Sequence, residues 1–179
     1  MRTLSSREVY RNAWMSVRED EIERPDGSAG TYGVVDKPDF ALIIPVEEGG
    51  LWLVEQYRYP VARRAWEFPQ GSWGAGGGGL TEELARAELA EETGLRAGRL
   101  RHLGHLYGAY GFSSQGFDAY VAEDLTAGPH AREVSEQDMM HRLVPEDEFL
   151  RMIATGDVVD AATLAAYTLF TLDRATASH

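Results

Sequence analysis

Three glutamates at short, regular spacing are the residues of this chain that most clearly favour chemistry. Glu88, Glu91 and Glu92 lie within the sequence Glu-Leu-Ala-Glu-Glu-Thr-Gly-Leu. Residues three and four apart are neighbours on a helix surface, so these side chains would hold like charges side by side. Like charges repel one another and stabilise nothing by themselves. Hard divalent cations such as Mg2+ take oxygen ligands of this kind, so the spacing predicts a magnesium site on a helix.

The direction in which the glutamates point separates a metal site from an ordinary charged surface. Charged residues usually lie on a solvated helix face. At about 100° per residue, however, the three glutamates share the side of Leu84 and Ala85. Such an apolar side faces the protein interior, where a carboxylate is costly unless it is paired or coordinates a metal. We therefore expect the cluster to face inward.

A helix from Thr81 to Gly94 is predicted to carry the cluster, with Thr81 as its N-cap and Gly94 as its stop. Two more amphipathic helices are predicted over Pro145–Thr155 and Val159–Leu172. Apolar and β-branched segments predict strands over Val9–Glu23, Thr31–Asp36, Phe40–Val46, Leu51–Tyr57, Arg99–Tyr107, Phe117–Ala122 and Met139–Val144. This order of strands and helices is typical of an α+β layered fold.

Composition excludes several classes of protein. With 179 residues and an ordinary balance of apolar and charged residues, the chain is expected to form one main domain. A net charge of −12 argues against a nucleic acid or an anionic membrane as partner, because both reward a basic surface. The absence of cysteine excludes disulfides and thiolate zinc sites. No signal peptide or membrane span is recognised, so we expect a soluble, cytoplasmic protein.

With its flanks, the segment Gly71–Leu95 resembles the Nudix box, Gly-x5-Glu-x7-Arg-Glu-U-x-Glu-Glu-x-Gly-U, in which U is aliphatic. The motif positions that match are Glu88, Leu89, Glu91, Glu92, Gly94 and Leu95. The flanks that look like those of ADP-ribose pyrophosphatase-like members are Val54–Pro60, Trp66–Gly71 and Gly111–Ser114. The chain departs from the motif at Gly79 and Ala87, which replace the early glutamate and the arginine, and it has two extra residues between Gly71 and Glu88.

The resemblance implies a fold and a metal site. The expected fold is an α/β/α sandwich with a mixed sheet, formed by residues 38–174. An antiparallel β extension over residues 1–37 precedes it, and residues 175–179 are expected to be a flexible tail. The cofactor would be Mg2+, with Mn2+ as the alternative. Glu88 and Glu92 would be metal ligands, Glu91 a ligand or a catalytic group beside them, and the Gln70 backbone carbonyl a further ligand.

The resemblance also implies a general base and a set of substrate contacts. The base would come from residues 132–138, where Glu136 is favoured over Glu133. Guanidinium groups bind phosphates bidentately, which makes Arg58 the first candidate, followed by Arg63 and Arg64. Trp14, Tyr32 and Trp66 are candidates for stacking on a base, although strand aromatics more often belong to the core. Tyr110 stands where many ADP-ribose pyrophosphatases carry a proline, so it is a candidate for choosing the substrate.

The expected reaction is Mg2+-dependent hydrolysis of ADP-ribose or a related nucleoside diphosphate sugar to a nucleoside monophosphate and a sugar phosphate. Two alternatives stay open. One is hydrolysis of dinucleoside polyphosphates or dinucleotide cofactors, and the other is a non-catalytic module that senses a nucleotide. In members with this kind of N-terminal extension, the extension builds a homodimer, so a homodimer is expected here.

Overall fold

The computed structural model of the chain describes residues 1–74, 77–129 and 138–177. Ten strands and three α-helices follow one another in this part of the chain. In order they are β1 (Arg2–Arg11), β2 (Ser16–Glu23), β3 (Ala29–Asp36), β4 (Phe40–Glu47), β5 (Gly50–Arg58), β6 (Arg63–Glu67), β7 (Gln70–Gly71), α1 (Thr81–Thr93), β8 (Leu95–Tyr107), β9 (Gly116–Ala127), β10 (Met140–Pro145), α2 (Glu146–Thr155) and α3 (Ala161–Ala177).

The first three strands form an antiparallel sheet in the order β1-β2-β3. The segment Val9–Glu23, predicted as one stretch of strand, contains the turn between β1 and β2. Asn12 makes this turn, because its side-chain oxygen accepts hydrogen bonds from the backbone N–H groups of Trp14 (2.8 Å) and Met15 (2.9 Å). Asparagine at a turn is the signal that the sequence interpretation missed.

The second sheet is mixed, with the order β10-β5-β4-β9-β8. β4 and β9 run parallel, and the other pairs are antiparallel. β4 and β5 pair at only two positions, where Val46 lies opposite Leu51 and Glu47 opposite Gly50, and the two strands then separate. In the gap, β6 pairs with β5, whereas β7 pairs with β4. The chain between β5 and α1 therefore enters the sheet where two central strands diverge.

Side chains alternate across β4 and divide the core into two layers. Ala41 and Ile43 pack with the buried face of α1, and Leu42 and Ile44 pack with residues of α2 and α3. Helices therefore cover both faces of the mixed sheet. The predicted α/β/α sandwich, with an antiparallel sheet at its N-terminus, is confirmed.

The sequence prediction is correct for the C-terminal end of α1 and wrong for its N-cap. Gly94 takes a left-handed conformation (φ 74°) and its N–H bonds to Ala90 O, so the predicted stop is confirmed. The predicted N-cap is wrong, because the helix begins at Thr81 and Leu80 is the capping residue. The Thr81 hydroxyl instead lies 2.6 Å from the Tyr120 hydroxyl on β9. A tertiary contact therefore uses the group that the local pattern assigned to capping.

Several boundaries extend beyond the predicted ones. β8 begins at Leu95 rather than Arg99, and β9 continues to Ala127 rather than Ala122. α3 continues through Ala177, so residues 175–177 are helical and not part of a tail. In the part of the chain that the structure describes, no helix is long and apolar enough to cross a membrane.

Backbone hydrogen bonds join the N-terminal sheet to the loop between β8 and β9. Val35 N donates to Phe112 O (2.8 Å), and Ser114 N donates to Val35 O (3.1 Å). The Ser114 hydroxyl donates to Asp36 Oδ1 at 2.9 Å. The end of β3 is therefore tied directly to the larger domain.

The partly buried carboxylate of Glu146, at the start of α2, bonds to α3 and makes the free energy of unfolding depend on pH. Glu146 Oε1 accepts from the Tyr167 hydroxyl (2.7 Å), and Glu146 also pairs with Arg174 (3.0 Å). The bond from Tyr167 lowers the pKa of Glu146 below its ordinary 4.5; burial opposes this, and Arg174 lowers the pKa further. The stabilisation is therefore fully present above the unfolded value and is lost as pH falls through the lower folded value.

Replacing Glu146 by Gln should reduce the free energy of unfolding by about 1 kcal/mol near neutral pH, which is the scale of a partly exposed charged hydrogen bond. The difference from the unmodified chain should shrink as pH falls below 4.5. Urea unfolding at several pH values measures it. A difference that stays constant into the acid range would contradict the assignment.

Candidate active site

A cavity of about 340 Å3 lies where the end of β5, strand β7 and helix α1 meet. The side chains and backbone that line it are Trp14, Gln56, Arg58, Gln70, Gly71, Ser72, Trp73, Gly74, Glu88, Glu91 and Glu92. The structure thus brings together Glu88, Glu91, Glu92, Gln70, Arg58 and Trp14 from the residues that the sequence selected. These six come from four separate parts of the chain.

The three glutamates lie on the inward side of α1, as the helical spacing predicts. Glu92 is only 1% exposed, and Glu88 and Glu91 are half-buried. Glu92 Oε2 accepts a hydrogen bond from the backbone N–H of Gln70 at 3.1 Å. This bond offsets part of the cost of burying the carboxylate, and it ties the end of α1 to β7.

Glu88 lies against the backbone of Gly71, so a side chain at position 71 would displace its carboxylate. A Cβ atom built on Gly71 would stand 2.3 Å from Glu88 Oε1 and 2.4 Å from Cδ. These distances are far shorter than any ordinary contact. The carboxylate of Glu88 therefore occupies the space that a side chain at position 71 would take, and this close approach sets its place in the cavity.

Arg58 enters the cavity as half of an ion pair. Its guanidinium makes two hydrogen bonds to Glu67, which is 2% exposed and also accepts from Gln56 Nε2 at 2.8 Å. Burial raises the pKa of Glu67, and the attraction of Arg58 opposes the rise. Burial would lower the pKa of Arg58, but the attraction of Glu67 outweighs it and the pKa is raised. Arg58 therefore stays cationic.

The charges of the cavity favour a cation. Three carboxylates and one guanidinium line the cavity, so its charge is negative on balance. In residues 1–74, 77–129 and 138–177, no three carboxylate or imidazole groups are already gathered at metal-binding distance. An all-oxygen donor set beside an exposed backbone segment fits a hard divalent ion.

Other predicted residues lie elsewhere. Arg63 Nη2 donates to Gly156 O at 2.7 Å, and Arg64 pairs with Glu55 and Asp138. Neither arginine lines the cavity. Glu133 and Glu136 lie in residues 130–137, outside the described part of the chain.

The remaining aromatic candidates separate from one another. The ring of Trp66 packs against the core beside α2 and α3, with the Arg142 guanidinium 4.8 Å from its centroid. Trp66 is therefore a core residue, as strand aromatics often are. Tyr110 is 83% exposed in the loop after β8, and the Tyr32 hydroxyl donates to Gly111 O at 2.6 Å. Trp14, 73% exposed, lies at the mouth of the cavity.

A second cavity of about 560 Å3 adjoins the first and adds residues that the sequence reading missed. It shares Trp14 and Trp73 with the first cavity and adds Arg11 and Lys37. Lys37, the only lysine of this acidic chain, directly follows β3. A single lysine in such a chain was the available signal. Trp73 directly precedes the glycine-rich sequence 74–79, and no helix or strand pattern marked it.

Comparison with known proteins agrees with this architecture. Residues 36–167 match the NUDIX domain, and residues 1–35 match the nucleoside diphosphate sugar hydrolase N-terminal domain. The chain belongs to the Nudix family. The helix with the three glutamates, the diverging strands and the N-terminal sheet are therefore parts of one Nudix protein, and this protein is a pyrophosphohydrolase.

Two relatives of this Nudix chain are ADP-ribose pyrophosphatases. The protein of Bacillus subtilis (strain 168) is 27% identical over 167 residues, which cover 92% of this chain and 89% of the relative. That of Mycobacterium tuberculosis (strain ATCC 25618 / H37Rv) is 32% identical over 166 residues, covering 91% and 79%. A crystal structure of an ADP compounds hydrolase shares the fold, with a TM-score of 0.83 and 22% identity over 95% of this chain and 91% of the other.

The close approach of Glu88 to Gly71 predicts the effect of a single methyl group. Gly71→Ala should displace the Glu88 carboxylate, which is the flexible end of a side chain, and leave the fold intact. We expect pyrophosphohydrolase kcat/KM to fall roughly 10- to 100-fold, the loss typical of a disturbed metal environment. Gly78→Ala is the matched control, because nothing lies within 4 Å of its added Cβ. Equal activities of the two variants would contradict this role for Gly71.

Proposed function

We propose that this Nudix enzyme hydrolyses the pyrophosphate bond of ADP-ribose or a related nucleoside diphosphate sugar, with Mg2+ as its metal and Mn2+ as a substitute. The products would be a nucleoside monophosphate and a sugar phosphate. The observation that carries the proposal is the cavity in which Glu88, Glu91 and Glu92 face Arg58. The two relatives named as ADP-ribose pyrophosphatases support the choice of substrate.

The residues of α1 and β7 would hold the metal. Glu88 and Glu92 supply carboxylate oxygens, the Gln70 backbone supplies a carbonyl, and Glu91 is either a further ligand or a catalytic group beside them. When bound, a divalent ion neutralises charge on the phosphate oxygens and so eases attack by water. Arg58 binds phosphate oxygens with the N–H groups that its pairing with Glu67 leaves available.

We assign binding of the nucleoside to the mouth of the cavity. The indole of Trp14 is exposed there and offers a flat apolar face for a base. Lys37 brings a positive charge to the adjoining cavity, which Asp36 and the Glu8-paired Arg11 also line, and this charge suits the phosphates of an anionic substrate. Tyr32, whose hydroxyl bonds to Gly111 O, stays a candidate for base contact. Arg63, Trp66 and Tyr110 line neither of these two cavities, and their substrate contacts stay predictions from the resemblance.

A substrate panel tests the proposal. With Mg2+, the chain should hydrolyse ADP-ribose or another nucleoside diphosphate sugar faster than dinucleoside polyphosphates, dinucleotide cofactors or nucleoside triphosphates. Glu92→Gln should lower kcat by at least about 100-fold while the chain stays folded, because a buried metal ligand is lost. Exclusive activity on triphosphates would refute the substrate class. Ligand-induced thermal stabilisation without turnover of any substrate would indicate a nucleotide sensor instead.

Glu136 is our proposed general base, with Glu133 as the second candidate. Both stay predictions from the resemblance to the family. In the same panel, Glu136→Gln should lower kcat with little effect on folding, and Glu133→Gln serves as its comparison. Full activity of the Glu136 variant would remove it from the mechanism.

We propose a homodimer built through the N-terminal sheet. Every residue of β1 is exposed, including the apolar Leu4, Val9 and Tyr10, and β1 is an edge strand. An exposed edge with apolar side chains is a common site of pairing between chains. Light scattering at micromolar concentration should give twice the mass of the chain, and a monomeric mass would refute the dimer. A cytoplasmic location stays a prediction, which cell fractionation tests.

A further inference from the structure

The short strand β7 is held by helices from both layers of the sandwich. From α1, Glu92 accepts from the backbone N–H of Gln70 at 3.1 Å. From the segment before α3, Asp160 Oδ2 accepts from the Gln70 side chain, with Nε2 at 3.1 Å. The residue whose carbonyl we assign to the metal is therefore tied to two helices that lie on opposite faces of the sheet.

Thr163, in the first turn of α3, binds the same segment at Phe68, two residues before Gln70. Its hydroxyl oxygen accepts from the backbone N–H of Phe68 at 3.0 Å, and both residues are fully buried. A buried backbone N–H without a partner is costly. Phe68 N does not have to find a partner in the sheet, because Thr163 supplies one from the helix layer.

Asp160 links this contact to the start of α3. The same Oδ2 atom that accepts from Gln70 also accepts from Thr163 N at 2.8 Å, and Asp160 O accepts from Leu164 N at 3.1 Å. These bonds make Asp160 the N-cap of α3. The beginning of α3 and the side chain of Gln70 therefore share one carboxylate oxygen, so neither can shift without disturbing the other.

We propose that Asp160 and Thr163 are positioning residues for the metal site. The first turn of α3 sets the path of the backbone from Phe68 to Gly71, and so the place at which the Gln70 carbonyl meets the carboxylates of α1. Neither Asp160 nor Thr163 is among the described residues that line the glutamate cavity. Asp160 therefore acts through the Gln70 side chain, and Thr163 acts through the backbone of Phe68, two residues before Gln70. The inference rests on the proposed function, since it takes Gln70 as a metal ligand.

The expected loss of metal affinity follows from how precisely a metal site must hold its ligands. Ligands must be held within a fraction of an ångström of their working positions by the groups behind them. Loss of such a supporting partner typically weakens metal binding by about 10- to 100-fold. A residue that merely supports the fold would lower the melting temperature but leave the metal affinity of the folded protein unchanged.

Mn2+ binding to the full chain without substrate, measured by electron paramagnetic resonance, tests the proposal. Thr163→Val should weaken Mn2+ binding about 10-fold, and Thr163→Ser, which keeps the hydroxyl, should restore it. Thr168→Val is the matched control on the exposed side of α3, where the hydroxyl bonds to Leu164 O at 2.9 Å. Gln70→Ala removes the side-chain hydrogen bond to Asp160 but keeps the backbone carbonyl, and it should also weaken Mn2+ binding. This variant tests the proposal even if Thr163→Val does not fold.

The outcomes separate this inference from the proposed function. If the unmodified chain binds no Mn2+, or Glu92→Gln binds it equally well, the metal site itself is refuted. If Glu92→Gln abolishes binding while Gln70→Ala and folded Thr163→Val bind as tightly as the unmodified chain, the positioning role is overturned and the metal site stands.

Discussion

The need to compensate Glu92, a carboxylate that is almost fully buried, governs the centre of this structure. Removing such a group from water is costly unless donors or a cation meet it. Gln70 N supplies one donor. Gln70 lies on β7, which pairs with β4 after the preceding strand, β6, has paired with β5. The divergence of the central strands, the short β7 and the inward face of α1 are therefore parts of one solution to the same electrostatic problem.

The ion pair of Arg58 and Glu67 fixes where the positive charge of the cavity lies. Glu67, which is almost fully buried, holds the guanidinium through two hydrogen bonds, and Glu92 attracts it as well. Arg58 therefore lines the same cavity as the three glutamates of α1. A carboxylate cluster that suits a cation then lies next to a cationic side chain, which is the arrangement that the proposed binding of an anionic pyrophosphate needs.

The local patterns predicted what depends on nearest neighbours along the chain. The spacing of Glu88, Glu91 and Glu92 gave the inward face of α1, because helix geometry alone places them with the apolar residues. Gly94 was predictable as a stop because only glycine easily takes its left-handed conformation. Thr81 was not predictable as anything but a cap, because its partner Tyr120 is distant in sequence. Trp66 likewise required the packing of α2 and α3 to be known.

The sequence by itself determined the family, the glutamate helix and the kind of ion that suits it, since these depend on residue types at fixed short spacings. The tertiary structure alone decided which arginine reaches the cavity, why position 71 is glycine, and which groups hold Gln70. Arg58, Arg63 and Arg64 are equivalent as residue types, but Arg58 pairs with Glu67 on the neighbouring strand, whereas Arg63 and Arg64 bond to Gly156 and Asp138, far away along the chain. Only folding brings those partners together, because their contacts depend on the register of the strands and the packing of the layers.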